Sequence, residues 1–180
     1  MSDATVVGLA KSVTALIQAA INDVSKPLGA GLQFNLNRVS YLKQWVIPDN
    51  DEVIRVRVAT HGTEGATEES RLAYGVKYVI PVGIYRKLNV TNKQGETIDD
   101  DNASVLAMSD QLASVVQSVT QIFAVRPNWE PFVPGLGFLN WTHKDRSNMD
   151  GLIFNPAGLS ERRQFESVIF LNYRAEFQAL

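Results

Sequence analysis

The stretch VLAMSDQLASVVQSVTQIF, residues 105–123, predicts a long amphipathic helix that divides the rest of the chain into two blocks of strands. Its apolar residues recur at steps of three and four, which places them on one helix face: Val105, Met108, Leu112, Val115, Val119 and Ile122. Three aspartates at 99–101 precede the helix, where negative charge interacts favourably with the helix dipole. Pro127 is expected to end it.

A second amphipathic helix is predicted over residues 3–24, where apolar residues have the same spacing and Pro27, Gly29 and Gly31 follow. Alternating apolar and polar residues predict strands in two blocks: residues 32–36, 54–58 and 74–84 before the 105–123 helix, and residues 138–142, 151–154 and 164–177 after it. Within residues 74–84, Pro81 and Gly83 indicate an edge strand or a bulge.

This order of elements predicts an α+β fold, with a mostly antiparallel β-sheet and two long amphipathic helices packed on one face. The length of 180 residues fits a single domain over residues 1–180. Polar residues at 61–71 and 89–102 predict two long loops in that domain. A turn cluster is predicted at residues 48–51.

The composition limits the classes of function. The formal net charge is -2, which argues against nucleic acid or an anionic membrane as the main partner. The chain has no cysteine, which excludes disulfides, thiolate metal sites and cysteine nucleophiles. It has no apolar run long enough for a transmembrane helix and no basic start typical of a secretory signal, so no membrane association is expected.

No motif for catalysis, cofactor binding or metal binding is present. The two histidines, His61 and His143, are isolated in the sequence and fit no zinc pattern. The aspartates at 99–101 lack the spacing of a calcium loop, although they could hold a cation weakly. P-loop and nucleophile-elbow sequences are absent. We therefore expect no catalytic, cofactor or metal site and no enzymatic activity, although catalytic groups can converge from distant positions.

Basic residues occur in four close pairs with two interpretations. They belong either to solvated strand faces and loops, or to a subunit or partner interface that pairs with acidic surfaces. In the second case the two polar loops act as inter-subunit arms. The last strand has apolar residues on both faces, and Val168 and Phe170 fit either a doubly covered sheet or an interface. The candidate interface residues are Arg55, Arg57, Arg86, Lys87, Lys144, Arg146, Arg162 and Arg163.

The order of elements resembles the bacteriophage tail-terminator and tail-completion (neck) family. The likeness rests on the helix at 6–24, the strand YGVKYVIPV at 74–82, the acidic loop before the helix at 105–125, and the closing strand FESVIFLNYR at 165–174. It extends over most of the chain as architecture, without a motif that assigns roles to single residues.

The resemblance implies a structural virion protein, made in the host cytoplasm, that forms a ring, commonly a hexamer, at the head-proximal end of a phage tail. Such a ring ends tail-tube polymerisation and offers an attachment surface to the head connector. The implied partners are further copies of the chain, the tail tube protein and the neck or connector protein, and DNA only as it passes through the ring lumen. The competing hypotheses are a generic protein-binding adaptor module and a small enzyme with dispersed catalytic groups.

Overall fold

The computed structural model describes residues 5–42, 47, 52–60, 68–70, 73–88, 103–124, 132–133, 137–138 and 163–178. The elements in chain order are α1 (Thr5–Ile21), β1 (Phe34–Val39), β2 (Ile54–Ala59), β3 (Glu68–Ser70), β4 (Ala73–Lys87), α2 (Ala103–Ala124), β5 (Phe132–Val133), β6 (Gly137–Phe138) and β7 (Gln164–Gln178). This arrangement of two helices and a β-sheet confirms the predicted α+β class.

The main sheet is built around β4. Strand β7 pairs antiparallel with β4 along its whole length, from Ala73 opposite Gln178 to Lys87 opposite Gln164. The other edge of β4 carries β3 at one end and β2 at the other, both antiparallel. Strand β1 pairs with β2 in the parallel sense, so the sheet is mixed. A separate antiparallel pair joins β5 to β6.

The prediction of a mostly antiparallel sheet is wrong, because β1 and β2 run in the same direction. A parallel pair needs a crossover connection of roughly a dozen residues or more, and residues 40–53 supply one. The turn predicted at 48–51 lies outside the described residues. The sequence between β1 and β2 has no pattern that indicates whether β2 runs parallel or antiparallel to β1.

The core lies between the helices and one face of the sheet, which we call the inner face. Fully buried residues of α1 and α2 join one hydrophobic cluster with the inner-face residues of β2, β4 and β7. The apolar stripe predicted on residues 105–123 is confirmed, since its members are buried or partly buried in that cluster. Among the residues that the structure describes, the largest fully buried side chains include Leu9, Ile17, Leu112, Phe123, Ile80, Ile84, Phe165 and Tyr173.

Helix α1 ends at Ile21, three residues before the predicted end. The Oδ1 atom of Asp23 accepts hydrogen bonds from the backbone N–H and hydroxyl of Ser25, at 2.8 and 2.7 Å, and from the backbone N–H of Lys26 at 3.2 Å. Such a local turn competes with helix continuation. These bonds also hold the pKa of the Asp23 carboxyl below its usual value.

Strand β4 pairs with β7 in a continuous register, so the bulge predicted from Pro81 and Gly83 is wrong on that side. On its other edge Pro81 has no partner among the described strands, as the predicted edge position requires, and its missing N–H costs little there. The ladder between β2 and β4 ends at the pair of Val58 and Val82, and Val82 is the residue that follows Pro81 in the chain. Its other neighbour on that edge, β3, reaches only Gly75.

The structure describes only part of the segments to which the remaining predictions apply. Strand β3 forms within the segment 61–71 that was predicted as a loop, and the loop at 89–102 lies outside the described residues. Of the strand predicted at 138–142, the structure describes Phe138, which closes β6; residues 151–154 lie outside the described part. No helix in the described ranges is long and apolar enough to cross a membrane.

Candidate functional site

The outer face of the sheet, opposite the core, carries a buried polar end and an open apolar end. Successive side chains of a strand point to opposite faces, so the residues that alternate with the core positions lie outward. On β2 these are Arg55 and Arg57, and on β4 they include Tyr85 and Lys87. On β7 they are Gln164, Glu166, Val168 and Phe170.

Arg57 lies at the buried end and is only 5% exposed. Its Nη1 atom donates to the backbone carbonyls of Asn35 on β1, at 2.7 Å, and of Val56, at 2.9 Å. Burial lowers the pKa of the Arg57 guanidinium, and the positive charge of Arg55 lowers it further. The interpretation of this strand face as solvated is therefore wrong at Arg57, which ties β1 to β2.

Tyr85, Glu166 and Gln164 continue this polar end across β4 and β7. Glu166 is opposite Tyr85 in the strand register, and its Oε1 atom accepts a hydrogen bond of 2.8 Å from the Gln164 side-chain amide. The backbone N–H of Ile47 donates to the Gln164 Oε1 atom at 3.3 Å. Because Ile47 is itself 2% exposed, this end of the outer face is covered by its own chain.

The electrostatics of this cluster are those of a buried structural network. Burial raises the pKa of the Tyr85 hydroxyl to about 12, and the neighbouring Glu166 carboxylate acts in the same direction. The Glu166 side chain is 6% exposed and accepts the Gln164 hydrogen bond described above. We conclude that this cluster, Arg55, Arg57, Tyr85, Gln164 and Glu166, is structural: Arg57 ties β1 to β2, and Gln164 holds Ile47 on the sheet.

The apolar end of the outer face is open. Val168 and Phe170 are 41% and 43% exposed, although both are large apolar residues of a paired strand. Their cross-strand neighbours on β4 are Gly83 and Pro81; the ring of Tyr85 packs against Gly83, and Pro81 has a small side chain. We call Pro81, Val168 and Phe170 the β7 patch. Because no described strand pairs with the second edge of β7, this patch borders the outer margin of the described sheet.

The other predicted interface residues that the structure describes, Arg86, Lys87 and Arg163, lie at one end of the β4–β7 pair but not on one face. Lys87 is on the outer face opposite Gln164. Arg86 points to the inner face and lines a cavity with residues of α2. Arg163 has a positive φ of 48° and its carbonyl accepts a hydrogen bond from the Leu88 N–H at 2.9 Å. Lys144, Arg146 and Arg162 lie outside the described residues.

The described residues therefore bring Arg55 and Arg57 together and separate them from Arg86. A shared interface of all eight basic residues stays a prediction. The part of the chain that the structure describes contains no group of three or more histidine, aspartate or glutamate residues arranged to hold a metal ion. His61 and His143 lie outside that part.

Two features of the outer face were not predicted from the sequence. Tyr85 is out of phase with the apolar stripe that ends at Ile84, and this shift could have placed it on the opposite face with Arg55. The role of Gln164 could not have been found, because its partner Ile47 is 117 residues away in the chain.

Comparison with models of known protein families gives no match, and comparison with curated proteins gives no significant match.

Proposed function

We propose that this chain is a structural virion protein that assembles into a ring at the head-proximal end of a phage tail. The ring ends tail-tube polymerisation and provides the attachment surface for the head connector. Its function is assembly and not catalysis. Its partners are other copies of the chain, the tail tube protein and the neck or connector protein, with DNA passing through the lumen.

The β7 patch is the observation that carries this proposal. Long edge strands and exposed apolar surface are the features through which chains associate. Strand β7 spans Gln164–Gln178, and it presents Val168 and Phe170 beside the small neighbours Gly83 and Pro81. This part of the sheet therefore offers exposed apolar side chains beside an unpaired strand edge, which suits contact with another protein surface.

A ring requires two different surfaces on each subunit, because a head-to-tail contact closes by rotation. The β7 patch and the β7 edge are the proposed first surface. The polar segments at 61–71, which includes β3, and at 89–102 are the proposed contacts with a neighbouring subunit. With both helices on the inner face of the sheet, the outer face is left for these contacts.

The resemblance to tail-terminator proteins supports the choice of this assembly over a generic adaptor. The elements that carry the likeness include α1, the aromatic-rich β4, α2 and the closing strand β7, and all four form over the predicted regions. This agreement concerns the order of elements, which an adaptor of the same fold would share. The oligomeric state is what separates the two functions.

Size-exclusion chromatography with light scattering, at several protein concentrations, tests the proposal. Six copies of the 19.9 kDa chain have a mass of about 119 kDa, which is expected for a closed hexameric ring. Addition of purified tail tube is the second arm, since a tube end can template the ring. A chain that stays monomeric both alone and with tail tubes would contradict the ring and favour the adaptor.

A further inference from the structure

Arg86 is a buried cation on the inner face of β4, where the other described residues of that phase are apolar. It continues the inward phase of Ile80, Val82 and Ile84 toward the core and lies opposite the fully buried Phe165. The Arg86 side chain is only 8% exposed. Its Nε atom is buried and has no hydrogen-bond partner among the residues that the structure describes.

Arg86 lines a surface cavity of about 530 Å³ that is largely open to solvent. Among the residues that the structure describes, its other lining comes from one side of α2, where Met108 is half-buried and Ala107 and Gln111 are exposed. Positions 107 and 111 are one helical turn apart, so they stand above one another on the helix surface. The volume lies in the range of roughly 300–1,000 Å³ that is usual for small-ligand sites.

The chemistry of these walls selects a ligand. An arginine keeps its charge under physiological conditions and presents its N–H groups in a planar fork that fits an oxyanion. A carboxylate that enters the cavity and pairs with Arg86 offsets part of the cost of burying this cation. Ala107 and Met108 offer a methyl group and a flexible thioether, which favour an aliphatic stem, and Gln111 adds an amide donor.

We propose that this cavity is a binding site for an aliphatic carboxylate. Arg86 pairs with the carboxylate oxygens, Met108 and Ala107 contact the stem, and Gln111 donates to the same carboxylate. Inorganic phosphate fits less well, because a dianion loses its hydration on binding and the apolar walls offer no hydrogen bonds to replace it. The carboxylate has two possible sources, a free short-chain acid or an acidic side chain of a protein partner. The site is independent of ring formation.

The test is an NMR titration of the full ¹⁵N-labelled chain with sodium butyrate, in which sodium chloride is withdrawn to hold the ionic strength constant. We expect saturable shifts of the Ala107 backbone amide and the Gln111 side-chain amide. In Arg86→Gln the affinity should fall roughly ten- to a hundredfold, which corresponds to the loss of a charged hydrogen bond. Arg38→Gln, which changes an exposed arginine of β1, should bind as the wild type does.

Equal binding by Arg86→Gln, linear shifts without saturation, or an equal affinity for inorganic phosphate would each overturn the assignment. A blocked glutamyl peptide serves as the second probe. Tighter binding of the peptide than of butyrate identifies a protein partner as the source, and the reverse order identifies a free acid.

Gln111→Glu keeps the test decisive if Arg86→Gln does not fold. This change supplies a carboxylate from α2 itself, close to the Arg86 guanidinium. We expect a higher melting temperature than that of the wild type, together with loss of butyrate binding. A lower melting temperature, or butyrate binding of unchanged affinity, would show that the cavity does not hold a carboxylate. Gln117→Glu, at an exposed position of the same helix, is the matched control.

Discussion

Gly83 makes room for the ring of Tyr85, and this contact shapes the outer face of the sheet. A Cβ atom built on Gly83 would approach the Tyr85 Cε2 and Cζ atoms at 2.5 and 2.7 Å, closer than real Cβ contacts. The tyrosine is 4% exposed, so its ring has little freedom to move away. The glycine in the middle of a central strand is therefore explained by a neighbouring side chain and not by a bulge.

The change Gly83→Ala should lower the free energy of unfolding by about 1–3 kcal/mol, which is typical of overpacking. Urea denaturation of the purified chain measures this loss. In the Tyr85→Leu background the same change should cost much less, because the ring that opposes the new methyl group is gone. Equal costs in both backgrounds would show that the ring contact is not the reason for the glycine.

Tyr85 also makes stability depend on pH in the alkaline range. Because burial raises its pKa to about 12 in the folded chain, from an ordinary value of 10.0, folding favours the neutral hydroxyl. The resulting stability is fully present below pH 10 and is lost as the pH rises toward 12, because only the unfolded state ionises there. A difference of this size corresponds to about 2–3 kcal/mol.

Tyr85→Phe should reduce this alkaline loss, measured by urea denaturation at intervals between pH 9 and pH 12. Part of the loss should remain, since burial also raises the pKa of Tyr173. Tyr41→Phe, at a side chain that is 58% exposed, is the matched control. An identical pH dependence in Tyr85→Phe and the wild type would contradict a raised pKa at Tyr85.

At the scale of elements, the helices and strands could be predicted because their apolar residues recur with regular periods. The predicted stripe of α2 and the phase of β7 both depend on neighbours a few residues away in the chain. The direction of β1 relative to β2 depends on the path of residues 40–53, which has no periodic pattern. The buried state of Arg57 could not be predicted either, because one of its two acceptors is a backbone carbonyl of β1, 22 residues away in the chain.

Arg57 links two elements, and its removal should loosen the parallel pair. In Arg57→Met a side chain of similar length loses its bonds to the carbonyls of Asn35 and Val56. We expect a loss of about 1–3 kcal/mol in the free energy of unfolding, with faster hydrogen exchange in β1 than in β7. Arg38→Met, at an exposed position of β1, should change stability by less than about 0.5 kcal/mol. A uniform increase of exchange across the sheet would contradict a local link.

At the scale of the whole molecule, the polar end of the outer face stabilises the fold, and the apolar end is the proposed contact with other chains. The polar end is buried and bonds Ile47, so substitutions there are expected to act on stability. The β7 patch is open, so substitutions there are expected to act on contacts with other chains. The two kinds of effect can be separated by measuring mass and melting temperature on the same variants.

The double change Val168→Ser and Phe170→Ser should dissociate the proposed ring without unfolding the subunit. Both side chains lie on the outer face, outside the hydrophobic core cluster, so their loss leaves that core intact, whereas a subunit contact through the β7 patch loses its apolar centre. Light scattering should show a lower mass and calorimetry a melting temperature close to that of the wild-type monomer. The control Leu106→Ser changes a residue of α2 that is 50% exposed, away from the sheet, and should keep the wild-type mass. If the double variant kept the mass of the wild-type ring, subunits would associate through a surface other than the β7 patch.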